Sequence, residues 1–381
     1  MKHPLFQRLT RIKQLGLTNV VYPGAQHTRF QHSLGAFHLT SEAILSLTQK
    51  GVFIFESEAE AVQAAILMHD IGHGPFSHVL ENTLIHGISH EEISLMMMNE
   101  INHDLGDNLT LAIKIFKDDY PKRFLHQLIS SQLDMDRLDY LRRDSFFTGV
   151  TEGNIGSARI IKMLNVVDDN LVVDSKGIYS IENYLTSRRL MYWQVYLHKT
   201  TVGYEKLLVN LLSRAKYLAD QGETVFATPA LHFFLYNHID KEAFVDNAEP
   251  LQHYKMLDDS DIWASVKAWT THRDPILSLL SRNLIDRRIF KVEVRSTAVE
   301  EAEVIDIRHQ IAQRYGLSFD DTAYLVNAST IRKDMYDIHD DHISILYKDG
   351  TIKDITEASE ILNISLLSKK ICKYYLCYQR F

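Results

Sequence analysis

Cysteine is nearly missing from the chain, with only Cys372 and Cys377 in 381 residues. The two stand in a segment that reads as a strand, where their odd spacing sends them to opposite faces. That argues against a disulfide framework and against a thiolate metal site. No apolar stretch approaches the roughly 18–20 residues that a bilayer-spanning helix needs. The start, Met1-Lys2-His3-Pro4-Leu5-Phe6-Gln7-Arg8, is broken by charge and lacks the apolar core of a secretory signal. A cytoplasmic protein with no membrane partner is the expectation. Basic excess is missing too, since 41 Lys and Arg stand against 49 Asp and Glu, a formal net charge of -8. Counterion release rewards clustered cations, so a surface devoted to nucleic acid is unsupported, while a local basic pocket for an anion remains open. Internal repeats and low-complexity tracts are absent.

What is present is a soluble, globular composition, 45% hydrophobic and 24% charged, long enough for two or three folding units. From the start to residue 285 the pattern is helical. Ser57-Glu58-Ala59-Glu60 has capping-box spacing, and the apolar positions from Ala61 to Met68 predict a mostly buried helix that ends near Gly72, leaving His69 and Asp70 at its C-terminal end. Ser89-His90-Glu91-Glu92 is a second capping box, which places His90 in a first helical turn. Residues 108–117, 123–133 and 136–147 read as short helices. The stretch 181–220 has no proline and one glycine, Gly203, which suits a long helix or a helix pair. Its aromatics Tyr184, Tyr192, Trp193, Tyr196 and Tyr204 read as core or interface residues. Between them, Leu171–Asp174 and Ile178–Ser180 suggest a hairpin around Lys176-Gly177.

Beyond 285 the texture changes to strand alternation at 290–294, a helix over 299–315 and a strand at 323–326. A hairpin follows around Asp349-Gly350, from 342–347 and 351–355, and a last strand over 374–378 closes the chain. The prediction is a mostly α protein: a helical domain over 1–285, and a small α+β module over 286–381.

The chemistry concentrates around His69-Asp70, with histidines at 73, 78 and 90 and the segment Arg29-Phe30-Gln31-His32 upstream. A divalent ion that activates water and polarises a phosphoryl oxygen is commonly held by imidazoles and carboxylates with positions left open. The candidates are His32, His69, Asp70 and a carboxylate of Asp134-Met135-Asp136-Arg137-Leu138-Asp139-Tyr140. A His-Asp dipeptide alone is a weak signal. Here Gly72, Gly74 and Pro75 force a tight connection that crowds several imidazoles together.

With these residues in view, the sequence resembles the HD-domain phosphohydrolases and, within them, the deoxynucleoside triphosphate triphosphohydrolases. The resemblance runs from Phe6-Gln7-Arg8-Leu9, Ile12-Lys13-Gln14-Leu15-Gly16 and Tyr22-Pro23-Gly24-Ala25 through Arg29 to Gly35. It continues in His69-Asp70-Ile71-Gly72-His73-Gly74-Pro75-Phe76-Ser77-His78, Ser89-His90-Glu91, Asp134 to Tyr140 and Arg143-Asp144. Weaker matches are Ser187-Arg188 and Tyr196-Leu197-His198-Lys199. It implies an HD helical bundle with its metal site within 29–144, and one divalent ion on His32, His69, Asp70 and Asp136. That donor set suits Mn, Fe, Zn, Co or Mg without choosing among them.

The resemblance also implies the reaction, release of deoxynucleoside and intact triphosphate from a deoxynucleoside triphosphate. His90 is then the leading catalytic histidine, with Glu81 or Glu91 as its carboxylate partner and His73 beside it. Arg29, His73, His78, Arg137 and Lys199 are the implied triphosphate contacts, although many relatives have lysine in place of Arg137 and aspartate in place of Glu81. Gln14, Leu15, Tyr140 and Asp144 match positions that read the deoxyribose, and Arg188 and Tyr196 are further substrate contacts. A homo-oligomer, dimer or tetramer, is expected by precedent, with the 181–220 region as interface. Relatives carry a further segment ahead of the one matching Phe6-Gln7-Arg8, so this is either a compact module or one whose natural start lies upstream. The alternatives are an HD phosphohydrolase acting on another nucleotide or phosphodiester, one variant holding a second ion on His73 and His90, and a nucleotide-binding regulatory protein.

Overall fold

Side-chain caps decide where the main helices start. In the computed structural model, which describes residues 1–76, 83–333, 342–359 and 371–380, Ser89 and Glu92 close the predicted box. The Glu92 backbone N–H donates to Ser89 Oγ at 3.2 Å, the Ser89 N–H donates to the Glu92 carboxylate at 3.0 Å, and the helix His90–Asp104 follows. The other predicted box is displaced. The helix Glu56–Met68 starts after Phe55, whose N–H donates to Glu58 at 2.9 Å, because Glu58 is drawn inward by Tyr120 and Lys122, each at 2.7 Å. That helix stops at Met68, with His69 as its C-cap.

The long helices Arg29–Gln49, Met135–Thr148, Ile178–Met191 and Lys199–Asp220 supply most of the frame. The expected helix at 123–133 is cut to Arg123–Gln127, because the following turn is held by Asp134, which accepts from Ser131 N at 2.9 Å and caps Met135–Thr148 through Arg137 N at 2.6 Å. The 181–220 region is a helix pair split by a π turn, Tyr192–Tyr196, an insertion that characteristically marks functional sites.

The first hairpin also differs from expectation. Leu164–Val167 pairs antiparallel with Asn170–Asp174 around Asp168-Asp169, both at positive φ, 50° and 57°, as a tight two-residue hairpin turn requires. Gly177 instead packs closely, since a Cβ there would lie 2.7 Å from Val173 Cγ1, and the chain continues directly into Ile178–Met191. The predicted strand at 323–326 is mostly a 3₁₀ turn, Asp321–Leu325, and true pairing starts at Val326 opposite Tyr378.

Strand Ile371–Tyr378 lies between Lys291–Arg295 and Val326–Lys333, antiparallel to both. The Asp349-Gly350 hairpin forms, from Ser344–Leu346 and Ile352–Asp354, and joins the earlier hairpin through a parallel pairing of Val173 with Ile345. The protein is thus a mostly helical domain with a small α+β portion that reaches back to pair with it. Two apolar cores support this arrangement. One gathers Leu207, Leu208, Leu211, Trp269, Leu280 and Leu376; the other gathers Ala36, Val62, Leu138, Leu141, Tyr184 and Leu185. Among the described residues no helix is long and apolar enough to cross a membrane.

Candidate metal centre

Three side chains from three separate elements converge. His32 stands near the start of Arg29–Gln49 and is fully buried, His69 caps Glu56–Met68, and Asp136 lies in the first turn of Met135–Thr148. His32 Nε2 is 2.9 Å from Asp136 Oδ1 and 3.3 Å from His69 Nε2, and His69 Nε2 is 3.4 Å from Asp136 Oδ1. Among the described residues these three form the one group with donor atoms close enough for a single ion. The fourth predicted ligand, Asp70, lies beside them, 3.7 Å from His32 Nε2 and 3.4 Å from His69 Nε2, while its Oδ2 accepts from Arg29 Nη1 at 2.5 Å.

The surroundings fit a cation. His69 Nδ1 faces the Ile66 carbonyl at 2.6 Å and His32 Nδ1 faces the Asp139 carboxylate at 2.8 Å. Both partners only accept, so both Nδ1 atoms carry the proton and the two Nε2 atoms present lone pairs to each other at 3.3 Å. Such a pair repels unless a positive charge lies between. Burial works against a charged imidazole at both sites. Asp136 and Asp139 outweigh it at His32, and Asp70 and Asp136 outweigh it at His69, so both are pushed above the ordinary histidine range. Burial is likewise overcome at Asp70 by Arg29 and His73, and at Asp136 by the two imidazoles, holding both carboxyls well below their usual range. A divalent ion satisfies the same demand by replacing protons.

Close helix approach makes this possible. One turn after His32, a Cβ on Gly35 would sit 1.9 Å from Asp139 Oδ1, so only glycine lets the two helices come near enough for His32 to reach Asp139. Gly72 plays the same part for His90–Asp104, where a Cβ would lie 2.2 Å from His90 O and Ser94 N. Ser94 Oγ accepts from Gly72 N and donates to His69 O, both at 2.9 Å.

Beside the trio opens a cavity of about 440 Å³. Its metal side carries Arg29, Asp70, His73, His90, Asp136 and Arg137, and its other lining includes Gln14, Leu15, Tyr140, Asp144 and Tyr196. The His73 and His90 rings lie in contact, centroids 3.9 Å apart and planes tilted by 40°, and His73 Nδ1 is 3.3 Å from Asp70 Oδ1. Asp144 is fixed from two sides, by His27 Nε2 at 2.7 Å and by the Tyr196 hydroxyl at 2.8 Å. Burial, with neighbouring phenols and, at Tyr196, Asp144, keeps the Tyr140 and Tyr196 hydroxyls protonated far above neutral pH. Gln14 Oε1 is buried with no donor among the described residues, an acceptor available to a hydroxyl ligand.

Other predicted residues fall elsewhere. Arg188 does not line this cavity and instead donates to Gln132 Oε1 at 3.0 Å. Lys199 lines a separate cavity with Arg287, Arg288 and Lys291, and Glu91 faces a smaller one on another side of the trio. His78 and Glu81 lie outside the described residues. Tyr192, read from sequence as a core or interface residue, lines the substrate-sized cavity with Tyr196, as the π turn between two helices allows.

Sequence reasoning did not single out Asp139, His27, Thr18, Phe76, Leu197 or Glu205 for the site. Asp139 was detectable, because it shares a helix face with Asp136 at i, i+3. Nor did it find the brace behind the loop 70–76. Arg8 is almost fully buried and donates to the carbonyls of His73 at 2.8 Å and Leu257 at 2.9 Å, and the Tyr254 hydroxyl donates to Gly72 O at 2.8 Å. Asp259 accepts from Lys13 N at 3.1 Å and from Phe76 N at 3.4 Å, holding Phe76 at a φ of 55°.

A family model for the HD domain matches residues 29–144, the span that contains the trio, and a model for the HD associated region matches residues 155–224. A crystal structure of a phosphohydrolase from Bacteroides thetaiotaomicron VPI-5482 superposes with a TM-score of 0.97 at 66% sequence identity, over 100% of this chain and 94% of that one. The uncharacterized protein YwfO of Bacillus subtilis (strain 168) is 34% identical over 98% of this chain and 86% of its own length. The deoxynucleoside triphosphate triphosphohydrolase SAMHD1 homolog of Dictyostelium discoideum is 33% identical over 55% of this chain and 44% of its own length.

Proposed function

The chain belongs to the HD-domain phosphohydrolases, a metal-dependent hydrolase family with deoxynucleoside triphosphate triphosphohydrolase-like members, and from that premise we propose that its substrates are deoxynucleoside triphosphates. One observation carries the reading. A single cavity joins guanidinium and imidazole groups beside the metal trio to a lining with an aromatic ring and groups suited to a sugar hydroxyl, Tyr140, Gln14 and Asp144. A triphosphate needs the first set and a deoxyribose the second, and in this reading Tyr140 crowds out a 2′ hydroxyl. The relative from Dictyostelium discoideum bears the name of a deoxynucleoside triphosphate triphosphohydrolase, which supports the reading.

In this reading His32, His69 and Asp136, with Asp70 beside them, would hold the ion, which would supply charge neutralisation and water activation. Arg29 and Arg137 bind phosphate oxygens, and the Asp70–Arg29 pair keeps that guanidinium in place. The oxygen of water adds to the α-phosphorus and the bond from that phosphorus to the sugar 5′ oxygen breaks. His90, its ring in tilted contact with His73, delivers the proton that the 5′ oxygen takes up. Deoxynucleoside and inorganic triphosphate leave. The reading extends to a cytoplasmic homo-oligomer, which light scattering at working concentration would test.

Purified protein with Mn²⁺, incubated with the four deoxynucleoside triphosphates, is expected to release nucleoside by chromatography and triphosphate by phosphorus NMR. Orthophosphate or pyrophosphate as the product would overturn the proposal in favour of another phosphohydrolase activity. Binding without turnover under every metal would favour a nucleotide-sensing protein.

A further inference from the structure

The metal trio is bounded by two cavities. The second, of about 220 Å³, reaches it from another side and is lined by His69 and Asp136 themselves together with Glu91, His126 and Ser130. Asp70, His90 and Asp136 line both spaces, so little more than those side chains divides them. The two approaches differ in their cationic side chains. Arg29 and Arg137 face the larger cavity, alongside the carboxylates of Asp70, Asp136, Asp144 and Glu205, and suit the phosphates of an anionic ligand there. No lysine or arginine among the described residues lines the smaller one.

What lines it instead is donor chemistry. Glu91 is exposed in the first turn of His90–Asp104, and Ser130 is exposed on the facing turn. His126 Nδ1 faces the Ile115 carbonyl at 3.0 Å, and because a carbonyl only accepts, Nδ1 carries the proton and Nε2 keeps its lone pair. Oxygen and nitrogen donors thus lead from solvent to two of the three ligands, an arrangement suited to shedding a hydrated divalent cation's waters stepwise.

We propose that this smaller cavity is the port through which the divalent ion enters and leaves the centre, with Glu91 and His126 as the first donors it meets. The inference rests on the metal-dependent reading of the trio and is independent of which nucleotide is cleaved. It separates two traffics: the ion exchanges through one opening while the anionic substrate uses the other.

The test is metal exchange, read without turnover. Protein loaded with Zn²⁺ is mixed by stopped flow with a fluorescent chelator to follow release, and the metal-free protein is mixed with Zn²⁺ to follow loading. Ser130→Phe, which fills the port from an exposed position, and His126→Leu, which removes a donor, are expected to slow both processes by about tenfold. Equilibrium affinity should stay within about twofold, because loading and release along one path change together and their ratio is preserved. Leu197→Trp, which fills the larger cavity, should leave both rates unchanged. Unaltered rates in both port variants, or slowing in Leu197→Trp alone, would overturn the proposal. Unchanged Zn²⁺ stoichiometry in Asp136→Ala would instead overturn the metal reading itself, which separates the two failures. Circular dichroism certifies that each variant is folded, and retained affinity does so again for the two port variants and Leu197→Trp.

Discussion

Replacing Asp139 by asparagine removes a charge from behind the metal trio without changing shape. Its Oδ2 accepts from His32 Nδ1 and from Arg143 Nε, each at 2.8 Å, and its Oδ1 accepts from Arg143 Nη2 at 2.9 Å. Burial opposes ionisation, but His32 and Arg143 hold the carboxyl below its usual range, so it works as a carboxylate. That carboxylate fixes the His32 tautomer and makes Nε2 more basic toward an ion. Asparagine offers one oxygen and an amide donor, so the tautomer is no longer enforced. Losing such a partner typically weakens metal binding by about 10–100-fold, or roughly 1.4–2.7 kcal/mol. The Arg143 ion pair contributes little to this figure, since its side chain is 22% exposed and water can replace the carboxylate. Competition for Zn²⁺ against a chelator at fixed pH measures the change, with Arg143→Ala as control. Unchanged affinity in Asp139→Asn, or an equal loss in Arg143→Ala, would refute the reasoning, because the support would then not run through His32.

Gly35→Ala places a methyl where Asp139 and Arg143 now sit, so an overpacking cost of about 1–3 kcal/mol is expected, with weaker metal binding; denaturant midpoints with and without Zn²⁺ check both. Arg8→Met leaves the carbonyls of His73 and Leu257 without their donor inside the protein and should cost about 2–5 kcal/mol, read as a fall in the urea midpoint. Burial pushes the Asp259 carboxyl from its ordinary 3.8 up to about 6, even though Lys13 N and Phe76 N donate to it. The folded state therefore binds this proton more tightly than the unfolded state. Its stabilising contribution is complete below about pH 4 and is lost as pH rises through about 6, a change of roughly 3 kcal/mol. Asp259→Asn should remove that loss, so its midpoint should fall less than the wild type's between pH 4.5 and 7.5; parallel profiles would refute it.

The helical frame was legible because its signals are local. Capping at Ser89, apolar periodicity and the 29–144 motifs need no distant partner, and His32, His69 and Asp136 do come together. The failures have equally specific causes. Ser57-Glu58-Ala59-Glu60 satisfies the capping-box spacing, but Glu58 is claimed by Tyr120 and Lys122, which sequence proximity cannot reveal. Asp168-Asp169 takes the left-handed turn that Lys176-Gly177 was expected to supply, because Asp tolerates positive φ and Gly177 is needed for packing against Val173. Lys199 sits near Tyr196 in sequence, yet the π turn and the new helix start at Lys199 send it to a different cavity. The brace of Arg8, Tyr254 and Asp259 links residues some 250 positions apart, as Arg8 to Leu257 illustrates, and no local pattern announces it.

The trio lies where the two apolar cores meet. The helices that carry His32 and Asp136 bury Ala36, Leu39, Leu138 and Leu141 in one core. Glu56–Met68 begins in that core through Ala61, Val62 and Ala65, then delivers Met68 and, just past His69, Ile71 to the other. An ion held by His32, His69 and Asp136 therefore clasps both cores, which a pair of ligands on one helix could not do. A single-helix site would retain part of its affinity in a partly unfolded chain. Here the donors meet only when both cores are assembled, so nearly all the binding free energy is conditional on the native fold and adds to its stability by mass action. The same placement explains the brace: the loop 70–76 belongs to the core that carries Ile71 and Phe76, and Arg8, Tyr254 and Asp259 fix it there by its backbone. His73 is thereby held beside Asp70, at 3.3 Å, by bonds to its backbone.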